Sequence, residues 1–350
     1  MSQEFRFPAE WESQSAILLA WPHAGTDWAE RLGQVEETYI ALVAAITRFQ
    51  SVLLCVADED VEAYARARLA SARIDMGRVR FATVAYDDTW LRDSGPITLV
   101  GRDGFRLLDF RFTAWGGKFE SGQDDRLIER LHEAGNFLNS DRQPIDFALE
   151  GGAIETDGVG TLLTTWQCLH ERHPDASREA LTTRLVGWLQ QDRVLWLEHG
   201  SLEGDDTDAH IDTLARFAPD DAIVFQACDD PADSHYHELQ AMAAEIGLLR
   251  TRDQQPYRLF PLPWPQPILD QGRRLAASYA NFLVINAAVL VPAYGDPADG
   301  VAAEVIARAF PGREIVQVPC RALIWQNGSL HCLTMQLPDG LVTAGFVTAG

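Results

Sequence analysis

Residues 203–212 read EGDDTDAHID, five carboxylates around a single histidine. In an extended segment Asp206, Asp208, His210 and Asp212 would alternate onto one face. A divalent metal would accept those oxygens and that imidazole. A cationic organic substrate would instead be gripped by the carboxylates, with His210 moving protons. A solvated acidic loop is the chemically silent alternative. Three other stretches pair small residues with a reactive side chain. In DDTWLRDSGPITLV (87–100) the Gly95–Pro96 turn presents Asp93 at a strand edge. In LEGGAIETDG (149–158) two glycines after Glu150 let the backbone approach a ligand closely, although a plain turn explains them equally well. In ALIWQNGSLHCLTMQLP (322–338) Cys332 follows a polar turn and His331 and begins a β-like run. A nucleophilic cysteine needs thiolate character, which nearby positive charge promotes. In so acidic a chain that charge would come from the substrate, and a guanidinium is a planar cation that carboxylates grip in a fork.

Composition narrows the chemistry. The net charge of −22 over 350 residues argues against a nucleic-acid partner, whose phosphates would be repelled, and permits steering of a cation. Lys118 is the sole lysine, in AWGGKFES, which lacks the GxxxxGK[ST] pattern; phosphate-loop and Schiff-base chemistry are disfavoured. Five scattered cysteines without CxxC spacing (Cys55, Cys168, Cys228, Cys320, Cys332) fit reduced thiols rather than a disulfide framework or a zinc site. No apolar run approaches the ~18 residues of a membrane span, and MSQEFRFPAEWESQ lacks a basic, then apolar, secretion signal. The expectation is a cytoplasmic protein without a membrane partner.

The elements that must position these residues alternate between helical and strand periodicity. Helices are expected over 33–48, 61–70, 124–134, 178–190, 236–247 and 300–309. Strands are expected over 51–57, 79–84, 161–165, 193–197, 222–227, 279–291 and 313–318. The proline-rich 253–270 reads as a loop or extended connection. Asp93, Glu150 and His210 recur at intervals of roughly 60 residues, and Cys332 lies near twice that beyond Asp212, which hints at a repeated unit. A ring of α/β units would follow; an ordinary doubly wound sheet is the rival.

DAHID resembles the DAHxD element of binuclear manganese ureohydrolases, but their GGDH-type and DxDxxDP-type partners are missing, so no metal is expected. Taken in order, WLRDSGP, EGG, GDDTDAHID and HC resemble the agmatine deiminase family, grouped with bacterial peptidylarginine deiminases in the guanidino-group-modifying superfamily. PAEWESQSAILLAWPH, FTAWGGKFES, DGVGTLLTTWQCL, SYANFLVIN and AFPGREIV extend the resemblance over nearly the whole chain. It implies one catalytic domain over 1–350, a five-bladed pseudo-symmetric α/β propeller of ββαβ units, and a mechanism without metal or cofactor. Cys332 matches the nucleophile and His210 the general acid/base. Asp93 and Asp212 match guanidinium-binding carboxylates, and Glu150 a third, shared with proton handling. Asp206, or Asp205 beside it, could receive the distal amine of agmatine, with Trp90 over the alkyl chain.

The family usually has Glu where Asp206 stands, Gly where Ala209 stands, a glycine-rich run where QNGS precedes HC, and an NRNP-like stretch where 171–174 read ERHP. These departures bear on the substrate more than on the chemistry. Peptidylarginine is the alternative substrate, and an inert propeller-type binding protein the alternative class. A homo-oligomer is compatible with the sequence, which does not set the oligomeric state.

Overall fold

The computed structural model describes residues 5–343 and resolves into two compact units. Of the described residues, the first comprises Glu12–Gly151 and 332–343, with Phe5; the second comprises Arg6–Trp11 and Gly152–His331.

The first unit holds two mixed sheets. In one, Met335–Pro338 pairs antiparallel with Gln14–Ala20, which pairs parallel with Ser51–Val56, itself parallel to Val79–Thr83. Gln14–Ala20 and Ser51–Val56 are buried at every residue. The helices Leu32–Ile46 and Glu59–Ser71 supply the crossovers, which is why 16–20 and 52–56 read as continuous apolar runs. In the other sheet Ile97–Gly101 and Phe105–Arg111 form a hairpin, and Ser140–Ala148 joins parallel after the helix Leu127–Glu133.

The second unit holds three small sheets of one pattern. Ile154–Thr156 and Thr161–Thr165 are antiparallel, the helix Arg178–Leu189 follows, and Arg193–Leu197 returns parallel. Ala215–Ala218, Ala222–Gln226, the helix Tyr236–Leu248 and Arg258–Leu262 repeat it. Leu283–Ile285, Ala288–Ala293, the helix Asp299–Ala309 and Glu314–Pro319 repeat it again. The helices are amphipathic: Arg178–Leu189 buries Leu181, Leu185 and Leu189, and Tyr236–Leu248 buries Leu239, Met242 and Ile246.

Among the described residues the order ββαβ therefore recurs five times, counting the sheet in which Met335–Pro338 and Gln14–Ala20, from opposite ends of the chain, supply the antiparallel pair. This is the repeat hinted at by the spacing of polar clusters. Four of the residues singled out in the sequence occupy equivalent places in it: Asp93 stands just before Ile97, Glu150 before Ile154, Asp212 before Ala215 and Cys332 before Met335.

Three local expectations are corrected. Residues 258–262, inside the proline-rich connection, form a strand, and Pro261 is tolerated because this is an edge strand. The run 279–291 is a hairpin whose strands begin only at Leu283. Cys332 lies in a turn, and the strand after it starts at Met335.

Candidate active site

In the first unit Leu91–Ser94 is a single helical turn, buried throughout, rather than a bare strand edge. Trp90 precedes it; its indole donates to Asp88, and its ring tilts against that of Trp28 at 5.5 Å. Burial first, then the charge of Asp27, pushes the Asp88 carboxyl up to about 7. Trp90 is thus packed into the core on at least one side.

Asp93, buried, accepts a hydrogen bond from the Trp115 indole nitrogen at 2.9 Å. Trp115 is aimed there by an unusual turn, AWGG, in which four consecutive residues have positive φ: Ala114 at 46°, Trp115 at 57°, Gly116 at 90° and Gly117 at 83°. The two glycines adopt this freely, but Ala114 and Trp115 do so at a cost of about 1–2 kcal/mol each. Backbone strain of this kind collects at functional sites. Phe112 and Phe119 meet the Trp115 ring edge-on and help hold it.

The segments bearing Asp93, Glu150 and Cys332 converge on the backbone of Arg92. Its amide donates to the Cys332 carbonyl at 3.1 Å, and its buried guanidinium reaches Gln336 at 2.7 Å. A Cβ on Gly151 would stand 2.2 Å from the Arg92 carbonyl oxygen, so only glycine lets the strand entry after Glu150 lie against it. Glu150 and Cys332 are both buried, at 1% and 4% exposure. This unit therefore unites a cysteine with two carboxylate-bearing segments.

In the second unit the acidic stretch is not extended. Asp208 (φ 65°) and Ala209 (φ 69°) are both left-handed, and Ile211–Thr213 is a turn of 3-10 helix. Successive side chains consequently diverge instead of sharing a face. Asp205 accepts from the Thr207 hydroxyl at 2.6 Å and from the backbone amides of Thr207 and Ala209, closing the loop on itself. Asp206 accepts from the Asn327 side chain at 2.7 Å. Asp208 pairs with the nearly buried Arg172 at 2.6 Å, and Arg172 also donates to the Thr207 carbonyl. The Thr165 hydroxyl donates to the Ala209 carbonyl at 2.7 Å. The helix Trp166–Arg172 thus clamps the loop from both ends and leaves His210 and Asp212 fully buried. The Cys168 sulfur, on the same helix, lies within 4.8 Å of an imidazole nitrogen of His210; a thiol beside an imidazole is a donor set suited to soft metals.

Asp212 is held in turn by His331, whose Nδ1 lies 2.8 Å from Oδ2. Burial pushes the Asp212 carboxyl up, but the hydrogen bond from His331 and the charges of His331, His210 and Arg216 outweigh it and leave it below its ordinary value. It is an ionised carboxylate inside the protein. Glu10, Glu155, Asn281, Arg172, Arg216, His331 and Trp115 were invisible as site residues in the sequence. Trp115, Asn281 and His331 lie within FTAWGGKFES, SYANFLVIN and HC, Glu10 within PAEWESQSAILLAWPH, Glu155 within LEGGAIETDG and Arg172 within ERHP, so that Arg216 alone falls outside the stretches named above.

Residues 6–338 match the Porphyromonas-type peptidyl-arginine deiminase family. Agmatine deiminase of Stutzerimonas stutzeri is 34% identical, over 97% of this chain and 96% of its own. A Cys-to-Ser variant of C. jejuni agmatine deiminase, solved with substrate bound, superposes with a TM-score of 0.88 at 34% identity, covering 96% of this chain and 97% of that one. Agmatine deiminase of Enterococcus faecalis superposes with a TM-score of 0.87 at 28% identity, covering 96% of each. By matched extent and by likeness of sequence and fold, the chain belongs to the Porphyromonas-type peptidyl-arginine deiminase family.

Proposed function

We propose that the protein hydrolyses the guanidino group of agmatine, giving N-carbamoylputrescine and ammonia, with Cys332 as nucleophile. The observation that carries this reading is the convergence of the Asp93, Glu150 and Cys332 segments on the Arg92 backbone, in a chain related over its full length to agmatine deiminases. The Cys332 thiolate attacks the guanidinium carbon and a C–S bond forms. His210 gives a proton to one amino nitrogen, the C–N bond breaks and ammonia leaves, so that an S-alkylthiouronium remains. Water then loses a proton to His210 and adds to the same carbon. The C–S bond breaks, and the ureido product departs with the thiolate restored. Asp93 and Asp212 bind guanidinium N–H groups, and Glu150 shares this task with proton handling. Asp206 receives the distal amine and Trp90 covers the alkyl chain. These steps call for no metal and no cofactor.

In this reading 1–350 is one catalytic domain, the five ββαβ sheets are blades of a five-bladed α/β propeller, and the enzyme works in the cytoplasm. The recurrence of the proposed site residues at the same place before the antiparallel pair of four of the five sheets supports the propeller. Among the described residues no helix is long and apolar enough to cross a membrane. The description of the matching family favours peptidylarginine as the alternative substrate. Incubation with agmatine, free arginine and a peptidylarginine, with ammonia and ureido product measured, separates them. Turnover of agmatine alone supports the reading, turnover of the peptide alone replaces it, and turnover of none leaves an inert binding protein. Inactivation by iodoacetamide, slowed by agmatine, is the expected accompaniment.

A further inference from the structure

Next to the nucleophile in sequence stands His331, which the mechanism above does not use. It is almost wholly buried, and both ring nitrogens face carboxylates: Nδ1 meets Asp212 at 2.8 Å and Nε2 meets Glu10 at 2.7 Å. Glu10 comes from the far end of the chain. Its second oxygen accepts the Val284 amide at 2.7 Å, and the oxygen facing His331 also accepts from Arg216 at 2.7 Å. Arg216 passes the connection to Glu155 at 2.7 Å and to the Phe282 carbonyl. Asn281 fixes the two backbones: its Oδ1 accepts the His331 amide at 2.9 Å, and its Nδ2 donates to the Asp212 carbonyl.

So many ionisable groups are rarely buried without a task. Three carboxylates, Asp212, Glu10 and Glu155, face one guanidinium and one imidazole. Each ring nitrogen of His331 thus faces a carboxylate oxygen, and an ionised carboxylate only accepts. Glu10 and Glu155 are each engaged by Arg216, while Asp212, the member assigned to meet a cation, is met by His331.

We infer that His331 is a positioning residue: its imidazole, braced by Glu10, holds the Asp212 carboxylate in the orientation that grips the substrate's guanidinium. The inference rests on the proposed role of Asp212. The charged groups facing Asp212 are His331, His210 and Arg216. Removing the His331 donor leaves burial less opposed, and the Asp212 carboxyl titrates at a higher pH.

Two substitutions separate the ring nitrogens. The amide of His331→Asn stands near Nδ1 and keeps a donor on Asp212. That of His331→Gln stands near Nε2 and keeps one on Glu10. For agmatine, His331→Gln raises KM by about tenfold, the loss of one charge-assisted hydrogen bond, and moves the acidic limb of kcat/KM to higher pH. His331→Asn keeps KM within about threefold and leaves the limb nearer that of the parent. Glu10→Gln raises KM in the same direction, and adding it to His331→Gln costs little more, since both act along one chain. A general loss of structure would lower melting temperature in both His331 variants without separating their pH profiles. Equal behaviour of the two variants, or an unmoved KM and limb in His331→Gln, overturns the inference; if that variant does not fold, an unmoved Glu10→Gln does so. Asp212→Asn distinguishes the levels. A parental KM there sinks the role of Asp212 itself, whereas a raised KM beside an unaffected His331→Gln sinks only the positioning role.

Discussion

Gly151→Ala tests how closely the Glu150 segment must lie against Arg92. The added Cβ would stand 2.2 Å from the Arg92 carbonyl oxygen and 3.1 Å from the Met335 methyl carbon. A relaxed carbon–oxygen contact is about 3.3–3.6 Å, so the two segments must part by about 1 Å. Flexible side chains could absorb this, but the nearer obstacle is backbone. That backbone carries Asp93 on its next residue and the amide bonded to the Cys332 carbonyl on its own. Overpacking of this size costs about 1–3 kcal/mol of stability. A misplacement of about 1 Å in a reacting constellation costs on the order of 100-fold in rate. The expected outcome is a folded variant, melting several degrees lower, with kcat/KM for agmatine down by about two orders of magnitude in an ammonia-release assay. A variant within threefold of the parent and with the same melting temperature would refute the claim that this contact sets the site.

Gly187, inside the helix Arg178–Leu189, meets nothing within 4 Å of a built Cβ; Gly187→Ala should gain about 0.5–1 kcal/mol in denaturant unfolding with unchanged activity. Trp115→Phe keeps an aromatic ring but removes the indole donor from the buried Asp93, so KM for agmatine should rise about tenfold, with a lower melting temperature from the smaller buried ring. Asp212 has a folded pKa below its ordinary 3.8, so its contribution to stability is present above that value and is lost as pH falls through the depressed one. Acid unfolding followed by circular dichroism should therefore show a shallower loss of stability in Asp212→Asn than in the parent below about pH 4.

The helices were legible because their apolar residues recur at three and four, as in Leu181, Leu185 and Leu189. Residues 16–20 of the strand Gln14–Ala20 are apolar too, but so short a run cannot be told from part of a helix by pattern alone. The three-residue strands Ile154–Thr156 and Leu283–Ile285 carry too few residues for any period to show. The shape of the 203–212 loop was hidden for another reason: alternation suggested an extended face, whereas Asp208 and Ala209 turn left-handed once Arg172 and Thr165 hold them. Glu10, Arg216 and Glu155 are residue types that usually sit in water, and nothing local marks them as buried; their bonds span up to 321 positions along the chain. Motif order named Cys332 and His210, but the neighbours that orient Asp212 and Asp93 emerge only from long-range packing.

In the proposed mechanism a covalent bond joins the Cys332 sulfur to the guanidinium carbon. Acid quenching during turnover of agmatine, followed by peptide mass spectrometry, should find the thiouronium adduct on the peptide containing Cys332 and none on Cys55, Cys168, Cys228 or Cys320. Ureido product formed at the parental rate by Cys332→Ser, or an adduct confined to another cysteine, would contradict it.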